Sequence, residues 1–182
     1  MNYLQIEKSS VANGPGVRVV LWVAGCKIHC KGCQNPESWD FCAGKLFDEE
    51  AKNELFNALN KPYIKGITFS GGHPLEPQNV EEVLNLCKEI KENFPTKDIW
   101  LYTGYTFENI CEQYCNYAIW NALRNVIEQN IWSNIQYIDV LVDGPYIEEQ
   151  RDITLAFRGS KNQRLIDVKE TLKQGEIITV QN

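Results

Sequence analysis

No stretch of this 182-residue chain stays apolar long enough to cross a bilayer, and its start lacks the apolar core of a secretory leader. Neither membrane insertion nor export is expected, and the cytoplasm is the expected compartment. A basic surplus is missing too, since 18 Lys and Arg against 24 Asp and Glu leave a net charge of -6. Proteins that wrap nucleic acid set an excess of cations against phosphates, so nucleic acid is not an expected partner. The cysteines do not suit a disulfide framework. There are seven, an odd number, and three are bunched as thiols are where they stay reduced and hold metal.

What is present suffices for one core. A 43% hydrophobic and 23% charged composition at this length predicts a single domain over residues 1–182, acidic and enzyme-like. The organising stretch is Cys26-Lys-Ile-His-Cys30-Lys-Gly-Cys33. Three residues and then two separate the thiols, a loop short enough to turn all three sulfurs toward one compact metal centre. No fourth protein ligand completes the set. Three cysteines thus hold three corners of a cubane iron–sulfur cluster and leave the fourth iron to something that is not protein.

The flanking sequence supplies a scaffold. Residues 1–16 are mixed and end in a turn, Asn13-Gly14-Pro15-Gly16. Val17 to Gly25 is nearly continuously apolar, as in a strand covered on both faces, so the cysteine loop hangs from a buried strand end. A helix is predicted from Asp48, an N-cap, with Ala51, Leu55, Ala58 and Leu59 on one stripe. Strands are predicted at Gly66–Ser70, Asp98–Thr103 and Tyr137–Val142, with a second helix over Gln78–Phe94 and a third from Phe107. Two short strand-like runs, Leu165–Val168 and Glu176–Val180, close the chain. Cys87, Cys111 and Cys115 fall on apolar helical stripes and are assigned to packing.

Strand, loop and helix repeated three times and followed by a strand indicate parallel βα units. They are too few for a closed eight-stranded barrel, which needs about 250 residues. The expected fold is α/β, an open partial (β/α) barrel with parallel strands. In it the loops after Gly25, Ser70, Thr103 and Val142 would share one rim.

Cys26-x-x-x-Cys30-x-x-Cys33 with Ser70-Gly71-Gly72 at a later strand end resembles the radical S-adenosylmethionine superfamily. Further motifs narrow the resemblance: Asn13-Gly14-Pro15-Gly16-Val17-Arg18, Cys33-Gln34-Asn35-Pro36 with Trp39, Tyr102-Thr103-Gly104-Tyr105, Asp143-Gly144-Pro145-Tyr146, and Arg158 through Arg164. Together, along nearly the whole chain, they resemble the activators of anaerobic ribonucleoside-triphosphate reductase. The resemblance implies that Cys26, Cys30 and Cys33 bind a [4Fe-4S] cluster whose open iron is chelated by S-adenosylmethionine. Reductive cleavage of that cofactor would give a 5′-deoxyadenosyl radical, which removes a hydrogen from a glycine of the reductase large subunit. It also implies a low-potential electron donor such as flavodoxin.

Cofactor-binding roles follow residue by residue from the same resemblance. Gly71 and Gly72 would let backbone approach the methionine end, with His73 and Pro74 beside them; backbone at Gly32, Cys33 and Gln34 would meet adenine; Thr103 would reach ribose or carboxylate. Many superfamily members carry an acidic residue where this chain has His73, which departs from the pattern. Arg158 and Arg164 are expected to receive the reductase's glycine loop, and His29 to stand outside the ligand set. Two alternatives remain at this stage: an activator of another glycyl-radical enzyme, of the pyruvate formate-lyase type, and a zinc module with Cys42 or His29 as fourth ligand.

Overall fold

The computed structural model describes residues 1–112 and 131–180, which form a seven-stranded mixed sheet. The strands are β1 (Asn2–Ser10), β2 (Val17–Val23), β3 (Lys45–Leu46), β4 (Ile64–Gly71), β5 (Asp98–Tyr102), β6 (Val140–Asp143) and β7 (Arg164–Asp167). In space they run β3-β1-β2-β4-β5-β6-β7. The sheet is therefore open, with β3 at one edge and β7 at the other.

The four parallel strands β2, β4, β5 and β6 fall in the segments that the apolar runs predict, except that Tyr137 ends a 3-10 helix, Ile131–Tyr137, and the fourth strand starts at Val140. Three strands correct the all-parallel expectation: β1 and β3 pair antiparallel on one side, and β7 pairs antiparallel with β6 on the other. Residues 1–16 are thus more than a connector. The alternation in β1 is weak because much of the strand is only partly covered. The tail differs as well: Val168 opens a helix, and the 176–180 run contributes one isolated bridge, Thr179 to Ile166, rather than a strand.

Helix α1 (Glu49–Leu59) starts where predicted, with the Asp48 carboxylate accepting from the Ala51 N–H at 2.9 Å. Its four stripe residues are all buried. Helix α2 (Val80–Asn93) buries Val83, Leu84, Cys87 and Ile90. Both helices cover the sheet face made by Val19, Leu21, Val23, Ile67, Phe69, Ile99, Leu101 and Leu141. Helix α3 spans Phe107–Ile110, and Cys111 is buried beside it in the same core. Cys115 and the rest of the predicted third stripe lie outside the described residues. A short helix, α4 (Val168–Gln174), follows β7.

The opposite sheet face carries the residues of the other parity. Trp100, Val140, Val142 and Leu165 pack there against Tyr102, Phe157 and Val180. Arg18, completely buried, spans this face near the first residues of the strands and pairs with Asp98 at 2.6 Å. The turn at Asn13 to Gly16 is tied to it, since Arg18 Nη1 donates to the Pro15 carbonyl and Thr68 Oγ1 to that of Asn13.

Candidate functional site

Because β2, β4, β5 and β6 run the same way, the loops that follow them share one rim. They enclose a cavity of about 580 Å3, within the size range of cofactor pockets. Its wall carries Cys26, Cys30 and Cys33 after β2, Ser70 through His73 at the end of β4, Thr103 and Gly104 after β5, and Gly144 and Tyr146 after β6.

The cysteine loop is held by backbone bonds, and the sulfurs themselves accept only from backbone N–H groups, that of Asn35 reaching Cys33 Sγ at 3.4 Å. Gly25 and Cys26 donate their N–H groups to the Ser38 and Trp39 carbonyls at 2.7 and 3.0 Å. Cys33 donates its N–H to the Cys30 carbonyl, closing a turn. His29 takes a left-handed backbone conformation, and its exposed ring stacks on Trp39 at 4.5 Å. Burial pushes the Cys26 and Cys30 thiols up; the backbone N–H groups of Ile28 and His29 act against this at Cys26, and that of Tyr146 at Cys30. Metal ligation needs thiolates, so a cationic iron centre would supply the positive charge that the protein does not.

Among the described residues, no three His, Cys, Asp or Glu side chains converge on a point where a single ion would sit. Three thiols lining one cavity suit a cluster, in which each cysteine takes a different iron. The candidate fourth ligands for a zinc do not line the cavity with them: Cys42 is exposed and His29 is stacked on Trp39.

The strand end at Gly71-Gly72 closes against the cysteine loop. Gly71 has φ +94°, a conformation that side chains other than glycine's rarely take. Gly72 donates to the Val23 carbonyl, and His73 N–H to the Gly25 carbonyl, both at 2.8 Å. Asn79 locks the turn from beneath, donating to the Ala24 and His73 carbonyls at 2.9 and 3.1 Å.

His73 is buried and does not stand free. Its Nε2 lies 2.7 Å from Thr103 Oγ1, and its Nδ1 lies 3.3 Å from Glu76 Oε1. Glu76 is equally buried and accepts from the Lys27 N–H, next to Cys26, at 3.1 Å. Burial pushes the Glu76 carboxyl up, but the His73 ring and the Lys27 N–H outweigh it, and the net shift is downward. Sequence reasoning missed Glu76. Its signal was a carboxylate three residues beyond the departure at His73, one turn away.

The other expected site residues divide by position. Cys33, Gln34, Gly71, Gly72, His73, Thr103 and Arg158 line the cavity. Gly32 is exposed, beside Glu148 and not part of the lining, and Pro74 is buried in the turn leading to α2. Arg164 does not line the cavity: it is paired with Asp143 and, through Nη1 and Nη2, with Glu108.

An open α/β sheet with three thiols at the rim is the setting for an iron–sulfur centre, and a family model described as a 4Fe-4S single cluster domain matches residues 12–166. Proteins named anaerobic ribonucleoside-triphosphate reductase-activating protein resemble the chain along most of its length. The one from Haemophilus influenzae is 43% identical over 90% of this chain and 96% of its own. That of Enterobacteria phage T4 is 43% identical over 91% and 93%, and that of Escherichia coli K12 38% over 90% and 96%. The chain belongs to this family of 4Fe-4S activating proteins.

Proposed function

We propose that the chain is a radical S-adenosylmethionine activase of an anaerobic ribonucleoside-triphosphate reductase, its open sheet serving as the partial barrel of that superfamily. The observation that carries this is the convergence of Cys26, Cys30 and Cys33 with Gly71 and Gly72 on one cavity wall, in a chain whose relatives are named for that activation. When bound, a [4Fe-4S] cluster and S-adenosylmethionine supply the reductive cleavage whose 5′-deoxyadenosyl radical takes a hydrogen from a reductase glycine.

The residues of the chain bind, orient and exclude. Cys26, Cys30 and Cys33 hold the cluster. Gly71 and Gly72 admit the methionine end of the cofactor close to the backbone, Cys33 and Gln34 flank adenine, and Thr103 offers its hydroxyl. Arg158, which lines the cavity, guards the entry used by the glycine loop of the reductase. Arg164 acts indirectly, by pinning β7 to β6 and α3. A low-potential donor such as flavodoxin supplies the electron, in the cytoplasm.

Electron paramagnetic resonance on anaerobically reconstituted, reduced protein tests the proposal. A [4Fe-4S]+ signal that changes shape on adding S-adenosylmethionine, followed by a glycyl radical on added reductase, is the expected result. A signal indifferent to the cofactor overturns it.

A further inference from the structure

Five polar groups from three loops form a continuous chain at the wall of the cavity. The Lys27 N–H donates to Glu76 Oε1, which faces His73 Nδ1; His73 Nε2 faces Thr103 Oγ1; and Thr103 Oγ1 accepts from the Tyr105 N–H at 3.1 Å. Glu76 and His73 are each 1% exposed, and Thr103 is 4% exposed. Water therefore does not mask the direction of these bonds.

That direction follows from the end of the chain. A carboxylate only accepts, so Glu76 requires a proton on His73 Nδ1. In a neutral imidazole with its proton there, Nε2 is an acceptor and the Thr103 O–H, 2.7 Å away, is its donor; a doubly protonated ring would reverse that bond. A hydroxyl has one proton and two lone pairs. The proton is given to His73 and one lone pair to Tyr105, so a single lone pair is left for the cavity.

We infer that Glu76 and His73 are positioning residues that fix Thr103 as a hydrogen-bond acceptor, so that it takes a hydroxyl or ammonium donor of the cofactor and rejects its carboxylate. The cofactor half of this inference rests on the proposed function; the polarity of the chain does not. It also gives His73 a role that needs no contact with the cofactor.

Two measurements test it separately. The sequence holds two histidines, so imidazole nitrogen–proton correlation spectra of the full-length protein with its cluster oxidised contain two ring systems, His29 and His73. His73 is expected as the Nδ1–H tautomer, unchanged in Glu76→Gln, where the amide oxygen can still accept, and mixed in Glu76→Ala. An Nε2–H or doubly protonated His73 in the wild type, or a fixed Nδ1–H in Glu76→Ala, overturns the relay. In the second measurement, binding of S-adenosylmethionine is expected to weaken roughly tenfold in Thr103→Val, the scale of one hydrogen bond, and to change little in Thr103→Ser. Decarboxylated S-adenosylmethionine is expected to show the same tenfold loss. If it binds wild type and Thr103→Val alike, Thr103 was serving the carboxylate, and the acceptor assignment is wrong. If the wild type binds neither compound while His73 is the Nδ1–H tautomer, the proposed function and the cofactor half fall together and the relay stands.

Discussion

Arg18 and Asp98, eighty residues apart in sequence, meet at 2.6 Å inside the sheet at the end of the strands opposite the cysteines. Arg18 is fully buried, and its other nitrogens donate to Thr68 Oγ1 at 2.9 Å and the Ile67 carbonyl at 2.7 Å. Its guanidinium also lies 5.4 Å from the Trp100 ring centre. The cation thus fastens β2 to β4 and β5 and floors the face on which the cavity opens. Removing one partner of such a pair leaves a buried charge uncompensated, at about 3–5 kcal/mol. Arg18→Met should lower the stability of the cluster-free protein by that amount in denaturant unfolding. Arg18→Met combined with Asp98→Asn should recover part of the loss. A loss under about 1 kcal/mol in the single variant would mean that the pair is solvated and does not organise the sheet.

Two glycines at the rim should respond oppositely to alanine. A Cβ on Gly72 would come within 2.7 Å of the Gly25 carbonyl oxygen and 3.0 Å of that of Ser38, both backbone. Neither can yield without moving the cysteine loop. A Cβ on Gly104 would meet Ile28 Cδ1 at 2.2 Å, the end of a side chain that can rotate, with its next contact at 3.5 Å. Gly72→Ala is expected to cost about 1–3 kcal/mol and to lower the iron content after reconstitution. Gly104→Ala should stay within about 1 kcal/mol of wild type and load iron normally. Equal iron content in both variants would count against the Gly72–Gly25 contact as the support of the loop.

Much of this site was legible in the sequence because its signals are local. The cysteine spacing lies within one loop, the apolar runs of β2 and β4 announce strands that are buried, and Asp48 with the Ala51–Leu55–Leu59 stripe needs only helical periodicity. What escaped depends on partners distant in the chain. Nothing near Arg18 reveals that Asp98 will neutralise it. The β1 pattern is weak because that strand is only partly covered. Arg164 reads as a partner-binding cation until the fold brings Asp143 and Glu108 to it. Glu76 was nearer at hand, but its meaning requires Lys27 and Thr103 from two other loops.

Cysteine reactivity should follow the same geography. Burial pushes the Cys87 thiol far above its ordinary value, so almost no thiolate is present at neutral pH. Cys111 is buried with it in the helix-covered core, whereas Cys42 is exposed. In the folded, cluster-free protein, iodoacetamide should label Cys42 and the three partly exposed cavity cysteines, with Cys87 and Cys111 modified only after denaturation. Mass spectrometry of peptides after timed alkylation reads this directly. Early labelling of Cys87 would show that α2 does not seal its face of the sheet.

The Arg164–Glu108 pair makes a prediction about acid. The Arg164 guanidinium holds the Glu108 carboxyl at about 2 against an ordinary 4.5, overcoming the burial that pushes it up. A carboxyl depressed by folding stabilises the native state fully above its unfolded value, and that contribution is lost as pH falls from about 4.5 toward about 2. Taken at face value the shift is worth about 3 kcal/mol. The Glu108 side chain is 48% exposed, however, and solvent screening reduces the expectation to about 1 kcal/mol. At neutral pH, Glu108→Gln should therefore be less stable than wild type by about that amount, and the gap should close on acidification through this window. Measuring the difference between the two proteins cancels the other carboxylates, which titrate in both. A gap that widens as pH falls would reverse the sign and remove the ion pair as the fastener of β7 to α3. A gap that closes would show that Arg164 is occupied within the fold, so that loss of reductase activation in an Arg164 variant must be separated from loss of the fastener before it is attributed to the partner.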